Sequence, residues 1–248
     1  EELAALGAVK TFASLTQAHD FLRQQGRDDL RICGLNAFDP QQGLLLLPRL
    51  EWRRLGGSAT LRLVLSSESS LRDDARAARE FLDSLTAKQA QATAMPSLLS
   101  EQHFPAYPQW RALITQATQA IAAGEMDKVV LARATDLHFA APLNAGSIMA
   151  ASRRSNLNCF HFLMAFTPRE AFVGSTPERL WRRRGALLRT EALAGTVASH
   201  ADDRQAQRLG NWLMGDDKNQ RENMLVVEDI CQRLQGETRA LEVLPPQI

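Results

Sequence analysis

Lys128 opens an apolar run, Lys128-Val129-Val130-Leu131-Ala132-Arg133, where an ammonium is costly to desolvate. A closed pocket there favours the neutral amine, which is a general base. The plainer reading is a strand-edge lysine whose stem lies on apolar surface while its head reaches water. Glu178 stands in Gly174-Ser175-Thr176-Pro177-Glu178-Arg179, where a proline and two small hydroxyl residues make a stiff turn. An acid held there could give a proton to a leaving hydroxyl; the ordinary alternative is a surface ion pair with Arg179, Arg182, Arg183 or Arg184. Glu191-Ala192-Leu193-Ala194-Gly195-Thr196 ends in a Gly-Thr turn whose backbone amides and hydroxyl suit a ligand carboxylate, though they equally suit a plain turn. Glu222 lies near Leu225 and Val226, and a carboxylate at such a half-buried edge suits a hard cation such as Mg²⁺. A solvated acid favoured by the helix dipole is the competing account. None of the four identifies a reaction alone; their order along the chain carries the meaning.

The elements that must position these residues fall into two halves. Ser14 caps a helix over residues 14–25, with Leu15, Ala18, Phe21 and Leu22 on one face and Gly26 closing it. Residues 31–38, 43–53 and 59–66 read as consecutive antiparallel strands, the last alternating Leu61, Leu63 and Leu65 against Thr60, Arg62 and Val64. A second helix runs from Ser70 to about residue 86, and a polar link covers residues 89–108. In the second half, helices are predicted over 108–123 and from Asn144 to about 154, with a buried strand over 128–133 between them. Strands at 159–166, 171–174, 179–184 and 187–191 precede a helical tract, 201–234, broken by Gly215. In that tract Met224, Val227, Cys231 and Leu234 form one apolar stripe. Runs of strands followed by runs of helices define an α+β class.

Composition narrows the function. With 29 basic and 28 acidic residues spread evenly, no block of one sign points to nucleic acid or an anionic membrane, so the partner is a small molecule. No apolar run is long enough to cross a bilayer, and the first residues lack the pattern of a signal peptide. Cys33, Cys159 and Cys231 are far apart, have no metal-ligand spacing and read as buried thiols of a reducing compartment. The expected location is the cytoplasm. The chain starts without methionine and ends in a strand-like segment, so both natural termini are expected to lie outside it.

Six stretches taken in order, 34–40, 47–52, 127–135, 174–184, 191–197 and 216–229, resemble the chorismate-utilising enzymes over nearly the whole length. Within that family they are most similar to the isochorismate synthases of menaquinone biosynthesis in enteric bacteria. The resemblance implies a chorismate-binding-enzyme fold, antiparallel sheets covered by helices, with its C-terminal portion missing. Residues 1–95 would form the N-terminal α+β portion and 96–248 the first part of the catalytic region. It implies that Lys128 activates water for attack on ring carbon 2 of chorismate and that Glu178 protonates the departing hydroxyl at carbon 4. By the same resemblance, Gly195 and Thr196 touch the ring carboxylate, and Glu222 is the first of two glutamates holding Mg²⁺. The second glutamate and a substrate-binding arginine and tyrosine region would lie beyond Ile248, which makes the site of this chain incomplete.

Relatives that use ammonia lack a lysine at the position of Lys128, and aminodeoxychorismate synthases have one where this chain has Ala194, so water is the expected nucleophile. Thr176 replaces a serine common in close relatives and keeps the hydroxyl. The alternatives are a siderophore-pathway isochorismate synthase, a salicylate synthase, or an inactive fragment lacking the second metal ligand.

Overall fold

The computed structural model describes residues 1–39, 41–86 and 94–247, and the chain forms two units, Glu1–Ala90 and Gln91–Ile248. The first unit contains β1 (Glu2–Phe12), α1 (Leu15–Gln25), β2 (Cys33–Asn36), β3 (Gly43–Leu55), β4 (Ser58–Leu63) and α2 (Leu71–Ser84). Its axis is β3, whose leucine-rich first half pairs with β2 and whose second half pairs with β4, while β1 runs antiparallel along its other edge. Helix α1 lies against β1 and β3. Ser14 Oγ accepts the Gln17 N–H at 3.3 Å to start α1, and Gly26 ends it in the left-handed region at φ 58°. Phe12, Ala18, Leu45, Leu47 and Val64 form the core, with Val9, Phe21, Leu30 and Ile32 packed on it.

One strand is added here and one expectation changes. β1 is not indicated by patterning, because nearly all of its side chains are exposed on both faces. In the last strand the alternation is reversed: Leu61, Leu63 and Leu65 are exposed, and Val64 points into the core. Arg62 faces the same side as Val64 because it lies 3.6 Å from Glu51, a carboxylate only 3% exposed that Arg31 also holds at 2.8 Å. Nearby, Arg49 grips Asp74 through two bonds of 2.7 Å, and the Ser66 N–H donates to the same carboxylate. The Arg49 guanidinium, followed by the Ser66 amide, holds the Asp74 carboxyl below the usual aspartate range.

The second unit contains β5 (Leu98–Phe104), α3 (Tyr107–Ala122), β6 (Ala134–Phe139), α4 (Ala145–Ser155), β7 (Phe160–Thr167), β8 (Glu170–Thr176), β9 (Arg182–Arg184), β10 (Leu187–Arg189), α5 (Asp203–Gly215) and α6 (Asp217–Leu234). Its strands form three antiparallel pairs, β5 with β6, β7 with β8 and β9 with β10. Helix α4 packs across β7 and β8, and α5 packs on α6. The architecture is α+β with antiparallel pairing throughout the described residues. The polar link expected at 89–108 lies outside the described residues as far as 93, and β5 and the start of α3 occupy most of the rest.

The buried strand expected over 128–133 is not formed; the ladder begins at Ala134, opposite Phe104. Pro105 follows Phe104 and has no N–H, so the pairing has no donor with which to continue toward residue 132. Val130 is accordingly 81% exposed. The three cysteines are half-buried instead of buried; burial, then the Glu51 carboxylate, push the Cys33 thiol up. Met224 leaves the expected apolar stripe and is exposed. No helix among the described residues is long and apolar enough to cross a membrane.

Candidate functional site

The sequence folds so that four separate segments of the second unit converge. Gly215 ends α5, and Asp216 then caps α6: its carboxylate accepts the Asn219 N–H at 3.0 Å and the Asn219 side-chain amide at 2.7 Å. One turn on, Glu222 and Asn223 are half-buried on adjacent positions of the helix. Glu222 Oε1 lies 3.3 Å from Lys128 Nζ, joining α6 to the segment that precedes β6. Asn223 donates its amide to the Ala192 carbonyl at 3.0 Å, joining α6 to the segment that leads into Gly195 and Thr196.

Gly195 has φ 83°, and a Cβ on it would come within 3.2 Å of Asn219 Oδ1 and 3.3 Å of Asn219 Cβ. The backbone conformation therefore favours glycine, and a side chain there would also crowd Asn219 of α6. The carboxylate cradle read from Gly195 and Thr196 is thus pressed against the first turn of the helix that carries Glu222.

Glu178 is presented from the end of β8. Gly174 sits under the Phe162 ring so closely that a Cβ would be 2.3 Å from it. Ser175 Oγ is held between Ser152 Oγ at 2.6 Å and His161 Nδ1 at 2.7 Å, and Asn156 donates to Ser152 Oγ at 3.0 Å. The Glu178 N–H then donates to Thr176 Oγ1 at 3.1 Å, giving the stiff turn that the motif predicts. The Glu178 carboxylate is exposed and, among the described residues, makes no ion pair; Arg179 pairs instead with Glu191. Thr190 Oγ1 donates to the Leu180 carbonyl at 2.6 Å, so the Glu178 loop and the Glu191 segment are bound together twice.

Lys128 and Glu222 are therefore brought into contact, and Gly195, Thr196 and Glu178 are tied to the same framework through Asn223, Asn219 and the Arg179–Glu191 pair. Among the described residues Lys128 and Glu178 do not touch each other. Nor do the described residues enclose Lys128 and Glu222, whose side chains are 27% and 40% exposed. No group of three or more His, Cys, Asp or Glu side chains able to hold a metal occurs among the described residues. Glu222 is a hard, partly exposed oxygen donor, and Mg²⁺ is commonly bound by one or two carboxylates completed by water and substrate oxygens, so the donor fits that cation. Asn219, Asn223 and the Ser152–Ser175–His161 chain escape sequence reading, because polar residues at i, i+4 on a helix read as a solvated face.

Residues 15–248 match the family model described as chorismate binding enzyme, and the chain belongs to that family. Among individual relatives, it is 65% identical over its full length to the isochorismate synthase MenF of Escherichia coli, covering 58% of that protein. It is 36% identical to the isochorismate synthase MenF of Haemophilus influenzae over 97% of this chain and 54% of the relative. The chain thus spans a little over half the length of these relatives. The solved structure of Escherichia coli MenF, described as the menaquinone-specific isochorismate synthase, superposes with a TM-score of 0.93 at 64% identity, over 99% of this chain and 57% of that one. Anthranilate synthase component I of Streptococcus pneumoniae shares the fold, with a TM-score of 0.70 at 15% identity over 93% of this chain and 61% of that one.

Proposed function

We propose that the protein is an isochorismate synthase of menaquinone biosynthesis, acting in the cytoplasm on chorismate with Mg²⁺. The observation that carries this reading is the meeting of Lys128 and Glu222 at 3.3 Å, from segments remote in sequence. An amine able to activate water then lies beside a carboxylate able to hold a cation. The isochorismate synthase names of the relatives support the same reaction.

In this mechanism Lys128 Nζ, released from its pair with Glu222 as the neutral amine, accepts a proton from water as the water oxygen bonds to ring carbon 2. The two ring double bonds shift, and the bond from carbon 4 to its hydroxyl oxygen breaks. Glu178 gives its proton to that hydroxyl, which leaves as water, so one water enters, one departs and the product is an isomer of the substrate. Base and acid each contribute about 10²–10⁴-fold in rate when well placed. Gly195 and Thr196 hold the ring carboxylate through backbone amide and hydroxyl. When bound, Mg²⁺ would be held from this chain by Glu222 and would supply charge neutralisation at the ring carboxylate.

The test is product analysis by chromatography after the intact protein is incubated with chorismate and Mg²⁺. Isochorismate as the product supports the reading. Salicylate with pyruvate, or no consumption of chorismate, overturns it.

A further inference from the structure

The geometry points to Arg179 and Glu191 as positioning residues that aim Glu178, an inference that rests on the acid role given to Glu178 above. Neither residue needs to touch the substrate. Arg179 follows Glu178 directly, so whatever fixes its side chain also fixes the backbone from which the acid projects. Its side chain is only 19% exposed, and its guanidinium lies 5.6 Å over the Phe160 ring at the start of β7 and is ion-paired to Glu191. Its Nε is buried and has no hydrogen-bond partner among the described residues.

An arginine in that position leaves a donor unsatisfied, which costs stability, so stability alone does not account for the placement. A surface ion pair would have kept all of its donors in water. The register explains the result: Phe160 pairs with Thr176, so the ring that seats Arg179 is set by the same ladder that ends in the Glu178 turn. On the far side, Glu191 precedes Ala192, whose carbonyl accepts from Asn223, next to Glu222. The pair therefore spans from the acid to the helix that carries the cation-binding glutamate. With the Thr176 hydroxyl before Glu178 and the Thr190 hydroxyl on Leu180 after it, the Arg179–Glu191 pair is the only ion pair that anchors this loop among the described residues, and Glu191 also lies 3.9 Å from the more exposed Arg189. Releasing it lets an exposed carboxyl drift from the carbon-4 hydroxyl, and a displacement of about 1 Å at a reacting group costs on the order of 10²-fold in rate.

The experiment measures kcat, chorismate KM and melting temperature for Glu191→Gln, Arg179→Lys, and the swapped pair Arg179→Glu with Glu191→Arg, in the intact protein. The expected result is a kcat lowered about 10- to 100-fold in Glu191→Gln, with KM within about 3-fold of the parent and partial recovery of kcat in the swapped pair. Arg179→Lys keeps the charge but loses the planar fork; it is expected to lower kcat in the same direction and carries the test if Glu191→Gln does not fold. Unchanged kcat in both single variants overturns the proposal. So does a fall in kcat that tracks melting temperature and is not recovered by the swap, since that describes a merely structural pair. Glu178→Gln measured alongside separates the two ideas: full turnover in that variant removes the acid role itself, whereas a crippled Glu178→Gln beside normal Glu191→Gln and Arg179→Lys removes only the positioning pair.

Discussion

Replacing Lys128 by alanine should tighten Mg²⁺ binding even as it removes the proposed base. The Lys128 ammonium occupies Glu222 Oε1 at 3.3 Å, so a cation arriving at that carboxylate must compete with it. The side chains are 27% and 40% exposed, and an ion pair of that exposure is worth about 0.4–1 kcal/mol after solvent screening. Relieving the competition should therefore lower the Mg²⁺ dissociation constant by about 2- to 5-fold. The assay is calorimetric titration of Mg²⁺ into the metal-free intact protein without substrate, for the parent, Lys128→Ala and Lys128→Met. The two variants should agree with each other, because both lack the charge. The difference from the parent should shrink in high salt, where exposed charges are screened. Glu222→Ala should abolish most of the binding and marks the site being titrated. Unchanged or weaker Mg²⁺ binding in both Lys128 variants would refute the competition and with it the placing of the cation on Glu222.

Two further predictions follow from the packing. Gly195→Ala forces a Cβ into the left-handed region and within 3.3 Å of Asn219, so steady-state kinetics should give a raised chorismate KM, by about 5- to 30-fold, from a loss of roughly 1–2 kcal/mol at the cradle. Asp74→Asn should destabilise the first unit by about 2 kcal/mol at neutral pH, because Arg49 loses its charged partner. The Asp74 carboxyl is held below its unfolded value, so its contribution is complete above the ordinary aspartate range and disappears as pH falls through the lowered folded value. Denaturant melts across pH should therefore show parent and variant converging only in acid.

Caps and turns made much of this fold legible. Ser14 and Gly26 bound α1, Asn144 starts α4, and Gly215 followed by Asp216 separates α5 from α6, each by a local hydrogen bond or backbone preference that sequence alone encodes. Strands were harder wherever both faces are exposed. β5 is largely polar, with Ser100, Glu101, Gln102 and His103 in its middle, and becomes a strand only through pairing with β6, which no local pattern reveals. Residues 128–133 show the opposite error: their apolar run suggests burial, but a strand needs a donor opposite it and Pro105 removes one.

The same division applies to the site. The motif order singled out Lys128, Glu178, Gly195, Thr196 and Glu222, and the glycine preference at 195 follows from the turn. Which of them meet could not be read, because the Lys128–Glu222 contact depends on the rotation of α6, set by Asn223 on Ala192 and Asn219 beneath Gly195. The Arg179–Glu191 pair was hidden for a related reason. From sequence Arg179 is a surface partner for Glu178, and only the β7–β8 register turns it onto Phe160 and toward Glu191.

The most direct measurement follows the oxygen. The intact protein, Lys128→Ala and Glu178→Gln are each given chorismate and Mg²⁺ in ¹⁸O-labelled water, and the isochorismate formed is examined by mass spectrometry. Water addition assisted by Lys128 predicts one heavy oxygen in the new hydroxyl at carbon 2 for the parent, with the rate of its appearance lowered about 10²–10⁴-fold in each variant. Unlabelled isochorismate from the parent, or label entering undiminished when Lys128 is alanine, would contradict the account.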